Sequence, residues 1–266
     1  MRLIPTDPRR RATLVAAAVA VVCAGAVAVV VTSTMAPTPT PSTTAIAAPS
    51  PTPTRTPSTA PSTAPDAVDA PANTTIAAVR GADVAVSAEP RGAATTTLEN
   101  PQASGAPLVF RVVDQRDGWV QVQLAQRPNG STGWVPDSAV SLSTTPYAIV
   151  VTESDNTLDL YRGGEVVDSY PVATGTGGTP TPTGRFALTE LLAPTNSGYG
   201  PYAYGTTAFS DVLNSFGGGP GQIGLHGTED ASSVGRAASH GCIRMHNDDI
   251  TTLAKTLPLG TPFQVR

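Results

Sequence analysis

Three histidines occur in the 266 residues, His226, His240 and His246, and all lie within twenty-one residues that also contain Cys242. The chain's other cysteine, Cys23, sits in an apolar run near the N-terminus. Two chemistries use such a set. In the first, Cys242 is a nucleophile: a thiol with its ordinary pKa near 8.5 is mostly protonated at neutral pH, so a nearby imidazole must take the proton. In the second, histidine and cysteine bind zinc, with His226, His240 and Cys242 as ligands. Against zinc, no second cysteine stands near Cys242 and no Cys-x-x-Cys spacing occurs. A third reading, an inert buried cysteine among surface histidines, leaves the clustering to chance.

If the chain is exported, Cys242 has no disulfide partner outside the membrane, and a lone thiol in an oxidising space is a liability unless its reactivity is used. Acyl transfer to sulfur passes through a tetrahedral oxyanion that needs donors already in place. Gly241 allows a tight bend before the nucleophile, so amides around Gly241 and Cys242 are candidate donors. His226 follows Gln222-Ile223-Gly224-Leu225 and precedes Gly227. It is expected at the end of a strand beside the Cys242 loop.

The elements that must hold these groups are mainly strands. Residues 149–152, 158–161, 165–172 and 186–192 read as strands, and Gly163-Gly164 as a tight hairpin turn. Residues 194–221 are rich in Gly, Tyr and Ser and are expected to form an irregular lid, with Tyr199, Tyr202 and Tyr204 as candidate cleft-lining residues. One helix is expected late, with Asn247 as N-cap, Asp248 and Asp249 in the first turn, and Ile250, Leu253, Ala254 and Leu257 on its buried face. Pro258 ends it, and 261–266 can return as a last strand. His246 is expected to pack where the helix begins.

Upstream the character changes. Residues 75–145 carry short β-type runs around Trp119 and Trp134 and no helical period, which marks a small all-β module. Residues 32–74 alternate Pro with Thr, Ser and Ala and lack aromatics, the composition of a disordered stalk. Residues 12–31 form an uncharged apolar run long enough to span a bilayer. Arg9, Arg10 and Arg11 before it place residues 1–11 in the cytoplasm. An uncleaved signal anchor is favoured over a cleaved signal peptide because the apolar run is long and Pro37 would follow the small-residue site. Cys23 then serves as a small apolar residue of the span.

The formal net charge is −4, and the arginines before the apolar run make the rest more acidic still. No Lys/Arg run or basic face appears there, which argues against nucleic acid as a partner.

The segment LHGTEDASSVGRAASHGCIRM (225–245) resembles the signature of L,D-transpeptidases: a histidine, a spacer, then Ser239-His240-Gly241-Cys242. The likeness extends from Tyr147 to the C-terminus and includes Gly227-Thr228, Gly235 and the Pro180-to-Phe186 segment. The twelve-residue gap between His226 and Ser239 is short for that family. The stretch GWVQVQLAQRPNGSTGWV (118–135) is similar to the end of bacterial SH3-like modules.

The first resemblance implies a β-rich catalytic domain with one packed helix over 146–266. It also implies a peptidoglycan enzyme without cofactor or metal, acting on stem peptides from the extracytoplasmic side of the cell membrane. In that reading Cys242 attacks a stem-peptide carbonyl and releases D-alanine. His226 moves the proton with the Gly227 carbonyl orienting its ring. Gly241, Ser239 and His240 shape the oxyanion pocket, and an amine from a second stem resolves the thioester as a 3-3 cross-link. Arg244, where many members carry Asn, suits a substrate carboxylate, as Tyr202 and Tyr204 suit the lid; a structural salt bridge is the rival role for Arg244. An L,D-carboxypeptidase using the same thioester, and a non-enzymatic wall-binding protein relying on 75–145, are the alternatives. No feature of the sequence sets an oligomeric state.

Overall fold

The computed structural model describes residues 68–266. The expected cytoplasmic segment and membrane span, and nearly all of the stalk, lie outside them. Among the described residues no helix is long and apolar enough to cross a membrane.

Two large sheets account for most of these residues. The first contains β1 (Thr74–Val79), β2 (Asp83–Ser87), β3 (Ala94–Glu99), β4 (Val109–Arg116), β5 (Trp119–Gln123), β6 (Thr132–Pro136) and β7 (Val140–Thr145). Its order is β3-β2-β6-β5-β4-β1-β7, and every pairing is antiparallel. Alternation in β5 sends Val120 and Val122 into a core with Ala77, Val84, Val86, Phe110 and Val135. Trp134 is buried and Trp119 half-buried.

The second sheet begins with β8 (Tyr147–Thr152), β9 (Thr157–Arg162) and β10 (Glu165–Pro171). The short β11 (Thr174–Gly175) leaves it, and β12 (Gly184–Leu192), β13 (Ala203–Phe209) and β14 (Gln222–His226) rejoin it. After β15 (Ala237–Ser239), β16 (Ile243–Arg244) and α1 (Asn247–Thr256), β17 (Pro262–Val265) closes the fold. The order is β10-β9-β8-β17-β12-β13-β14-β16, while β11 and β15 pair in parallel elsewhere. Continuous burial of Ala148, Ile149, Val150 and Val151 marks β8 as a strand covered on both faces. In β10 only Tyr170 is buried, as suits an edge strand. Gly163 and Gly164 both adopt positive φ in the β9–β10 hairpin, the geometry a Gly-Gly pair favours.

Helix α1 lays Ile250 and Leu253 into the core, and Leu257 just past its end joins them. Each such fully buried side chain contributes about 1.5–3 kcal/mol. The Tyr204 hydroxyl, 3.1 Å from Leu253 O and 3.0 Å from Leu257 O, ties the end of this helix to β13.

Two local expectations need correction. His246, not Asn247, holds the N-cap position, and the Asn247 side chain instead accepts from Thr228 N at 2.9 Å. The supposed lid at 194–221 contains strand β13. Thr206, Thr207 and Ala208 are buried in succession there, so covering both faces removed the polar alternation by which the strand would have been recognised.

The two sheets are joined by specific polar contacts. Asp69 pairs with Arg111 (3.2 Å) and Arg185 (3.1 Å), and Gln123 Nε2 donates to Arg185 O at 2.6 Å. The loop after β5 reaches furthest: Asn129 exchanges hydrogen bonds with both the N–H and the carbonyl of Phe209, each at 2.8 Å.

Candidate active site

β14 and β16 run parallel with Leu225 opposite Ile243 and His226 opposite Arg244. Leu225 and Ile243 are buried in the core below. By alternation the other face carries Gly224, His226, Arg244 and, one step before the strand, Cys242. This parity brings the imidazole and the sulfur together. Gly224 donates its N–H to Cys242 Sγ at 3.4 Å, and a Cβ placed on Gly224 would lie 3.7 Å from His226 Cδ2 and 3.9 Å from Cys242 Sγ. Cδ2, the ring carbon bonded to Nε2, and the sulfur therefore border the same glycine.

The other imidazole nitrogen is committed. His226 Nδ1 lies 2.6 Å from the Gly227 carbonyl, an acceptor only, so this nitrogen carries the hydrogen and Nε2 keeps its lone pair in the neutral ring. Gly227 can present that carbonyl because it lacks a side chain: a Cβ there would come within 2.4 Å of Asn247 Oδ1 and 3.0 Å of Pro201 Cδ. Its N–H donates to Tyr202 O at 3.2 Å. Tyr199 packs on the imidazole, ring centroids 4.7 Å apart.

Burial pushes His226 down to about 4, with the nearby Arg244 charge acting in the same direction and the Gly227 hydrogen bond opposing. Burial likewise pushes the Cys242 thiol up, opposed by the Gly224 amide and by Arg244. Both shifts favour uncharged forms. These directions describe a resting neutral thiol and neutral imidazole, so any attack by this sulfur would require the thiol proton to move.

The turn before Cys242 is held by two hydroxyls. Ser239 Oγ accepts from Gly241 N at 3.0 Å and donates to Cys242 O at 2.5 Å. Thr181 Oγ1 donates to Gly241 O at 2.9 Å and accepts from Gly175 N at 2.9 Å. Gly241 has φ +116°, a conformation that disfavours any side chain.

These contacts revise several expected roles. The Gly241 amide is occupied by Ser239 and is not free to meet an oxyanion, whereas the Cys242 N–H has no acceptor among the described residues. His240 is exposed and stacks on Phe216, centroids 5.1 Å apart. Tyr204 borders the cleft, but its ring is buried under α1, where its hydroxyl finds acceptors at that helix's end. Tyr202 is partly buried against the core and contributes its carbonyl at the site. The salt bridge weighed for Arg244 is not formed: its side chain has no hydrogen-bond or ion-pair partner among the described residues. No three His, Cys, Asp or Glu side chains among the described residues gather as a metal site would require. The sequence reading did not assign site roles to Thr181, Gly224 and Glu190. Thr181 lies in the Pro180-to-Phe186 segment already singled out; the other two become visible only through strand register.

His226 and Cys242 lie in a cleft of about 320 Å³, lined also by Glu190, Tyr199, Gly205 and Phe216. A buried imidazole with one fixed nitrogen, a thiol in the same cleft and an unpaired N–H at that cysteine are the groups that acyl transfer through sulfur uses.

Residues 146–265 match the family model described as the L,D-transpeptidase catalytic domain YkuD. The chain is 36% identical over 122 residues to the putative L,D-transpeptidase YkuD of Bacillus licheniformis, covering 46% of this chain and 67% of that one. It is 38% identical over 118 residues to the Bacillus subtilis protein of the same name, covering 44% and 65%. The matches thus span about two thirds of the length of these curated relatives. Among solved structures, Bdellovibrio bacteriovorus Bd1075 is similar at 30% identity with a TM-score of 0.37, covering 46% of this chain and 48% of that chain.

Proposed function

From the premise that this chain belongs to the L,D-transpeptidase family, we propose that it cross-links peptidoglycan stem peptides through a thioester on Cys242. The observation that supports the reading is the imidazole of His226, held by Gly227 O at 2.6 Å and bordering, with the Cys242 sulfur, the same Gly224 in one cleft.

In the first step His226 Nε2 takes the thiol proton as Sγ attacks the carbonyl of the third stem residue. The Cys242 N–H receives the developing oxyanion. The imidazolium returns its proton to the leaving nitrogen, the C–N bond breaks, and D-alanine departs. In the second step the side-chain amine of another stem attacks the thioester, His226 accepts a proton, and the C–S bond breaks to restore the thiol and leave a 3-3 cross-link. Arg244, whose guanidinium makes no direct ion pair among the described residues, fits a substrate carboxylate by two-pronged contact. Ser239 and Thr181 act indirectly, by holding the turn that aims Sγ.

The apolar run at 12–31 and the Pro-rich stretch after it support a single-pass anchor with a stalk, which would place this chemistry on the wall side of the cell membrane. The module at 75–145 is then a spacer or wall-contacting unit.

The test is incubation of the full chain with disaccharide-tetrapeptides, with products resolved by mass. Cross-linked dimers, together with a Cys242 adduct lacking the mass of D-alanine, are expected. Tripeptide alone means water resolves the thioester and overturns transfer in favour of L,D-carboxypeptidase activity. A carbapenem is expected to acylate the same thiol and to leave Cys242→Ala unmodified; absence of an adduct on reactive wild-type thiol counts against the assignment.

A further inference from the structure

Across the sheet, Glu190 on β12 is opposite Gly205 on β13, and Gly205 is opposite Gly224 on β14. Continuing the β14–β16 register places Cys242 beside Gly224. One transverse row thus reads Glu190, Gly205, Gly224, Cys242: a carboxylate and a thiol at the ends of a floor made of two glycines. All four line the same cleft. The Glu190 side chain lies over the floor, because a Cβ on Gly205 would come within 2.7 Å of Glu190 Oε1 and 2.8 Å of its Cγ. Among the described residues this carboxylate has no hydrogen-bond or ion-pair partner.

Neighbouring strands are about 4.8 Å apart, and the glutamate leans inward, so its carboxylate and the sulfur are separated by on the order of 10 Å. A 3-3 link joins the carbonyl of one third residue to a side-chain amine of another third residue. The acyl-donating residue, being chemically the same as the acceptor, therefore carries such an amine itself. For a six-carbon backbone that nitrogen is six bonds from its carbonyl carbon, about 7 Å when extended. With an ion-pair contact added, this reach matches the trough.

We propose that Glu190 is the receptor for the side-chain ammonium of the acyl donor, a specificity-determining contact that rests on the transpeptidase reading above. The glycines leave space for the aliphatic chain, and the carboxylate selects donors with a free cation at its end.

The test uses the full chain and two synthetic tetrapeptide donors, identical except that one has its side-chain amine acetylated, with thioester formation on Cys242 followed by intact mass. The wild type is expected to acylate at least about tenfold faster with the free amine, the scale of one charge-assisted hydrogen bond. Glu190→Gln, checked for an unchanged Tm, is expected to reduce the preference to within about twofold, and Glu190→Asp to keep part of it. Equal rates in the wild type, or an undiminished preference in Glu190→Gln, overturn the proposal. A defect confined to resolution of the thioester assigns Glu190 to the acceptor amine and also overturns it. If neither donor acylates the wild type, the transpeptidase reading fails and this inference fails with it.

Discussion

Arg127 Nη1 donates to the carbonyl of Ser210 at 2.7 Å, joining the loop after β5 in the first sheet to the base of the 211–220 loop over the cleft. Arg127 Nη2 also reaches Leu213 O at 2.9 Å and Pro220 O at 3.2 Å, so one guanidinium holds both stems of that loop. The loop carries Phe216, which lines the cleft and stacks on His240.

Replacing this clamp should therefore act on substrate handling more than on folding. Arg127→Ala is expected to lower kcat/KM for tetrapeptide roughly tenfold, the scale of losing hydrogen bonds to a charged group. Alkylation of Cys242 by a small reagent should not slow. Unchanged peptide kinetics would show that the first sheet does not support the loop.

His226→Gln is expected to lower the acylation rate by about 10²–10⁴-fold, the usual contribution of a positioned general base. Because burial holds His226 at about 4, the acid limb of kcat/KM in the wild type should fall well below the ordinary imidazole range. A limb near 6.5 in the pH profile would contradict a buried, neutral base.

The same burial has a consequence for stability. Between about 4 and about 6.5 the unfolded chain binds a proton at His226 that the folded chain does not. Stability is therefore full above 6.5, falls as pH drops through this window and levels off below 4, by at most roughly 3 kcal/mol. Urea titrations should show this dependence in the wild type and a shallower one in His226→Gln; parallel curves would refute the assignment.

Ser239→Ala removes the acceptor for the buried Gly241 N–H and the donor to Cys242 O. A cost of about 1–3 kcal/mol is expected from the orphaned amide, with slower acylation as the turn loosens. Thr181→Val, which keeps shape but loses both hydrogen bonds, should behave similarly in Tm and rate. Wild-type acylation in both variants would show that the two hydroxyls do not aim the nucleophile.

Gly224→Ala tests the floor of the cleft. Its Cβ would make ordinary contacts, the nearest 3.4 Å from Tyr204 O, so the fold should tolerate it. It would nevertheless add a methyl to the cleft floor within 4 Å of both His226 Cδ2 and Cys242 Sγ, and acylation should drop at least about tenfold. Full activity with an intact Tm would mean that substrate does not cross Gly224.

The residue types and their order determined the candidate chemistry. A lone distal thiol, three clustered histidines and the Ser239-to-Cys242 signature were legible because chemical function is carried by side-chain identity. Gly163-Gly164 announced its turn because few other residues adopt positive φ at low cost. Only the tertiary structure decided which groups meet. Strand parity put Gly224, His226 and Cys242 on one face, and β-sheet registers joined Glu190 to the same row, although that glutamate lies 52 positions before the thiol. Tyr204 illustrates the limit: its neighbours suggested a lid, yet its ring went into the core because β13 carries it beneath α1, where two carbonyls could accept its hydroxyl. The Gly241 amide was lost to Ser239 for the same reason, since a tight turn brings together groups whose hydrogen bonds sequence spacing does not specify. Pairing across strands depends on register, and register is set by the burial of whole faces rather than by any local motif.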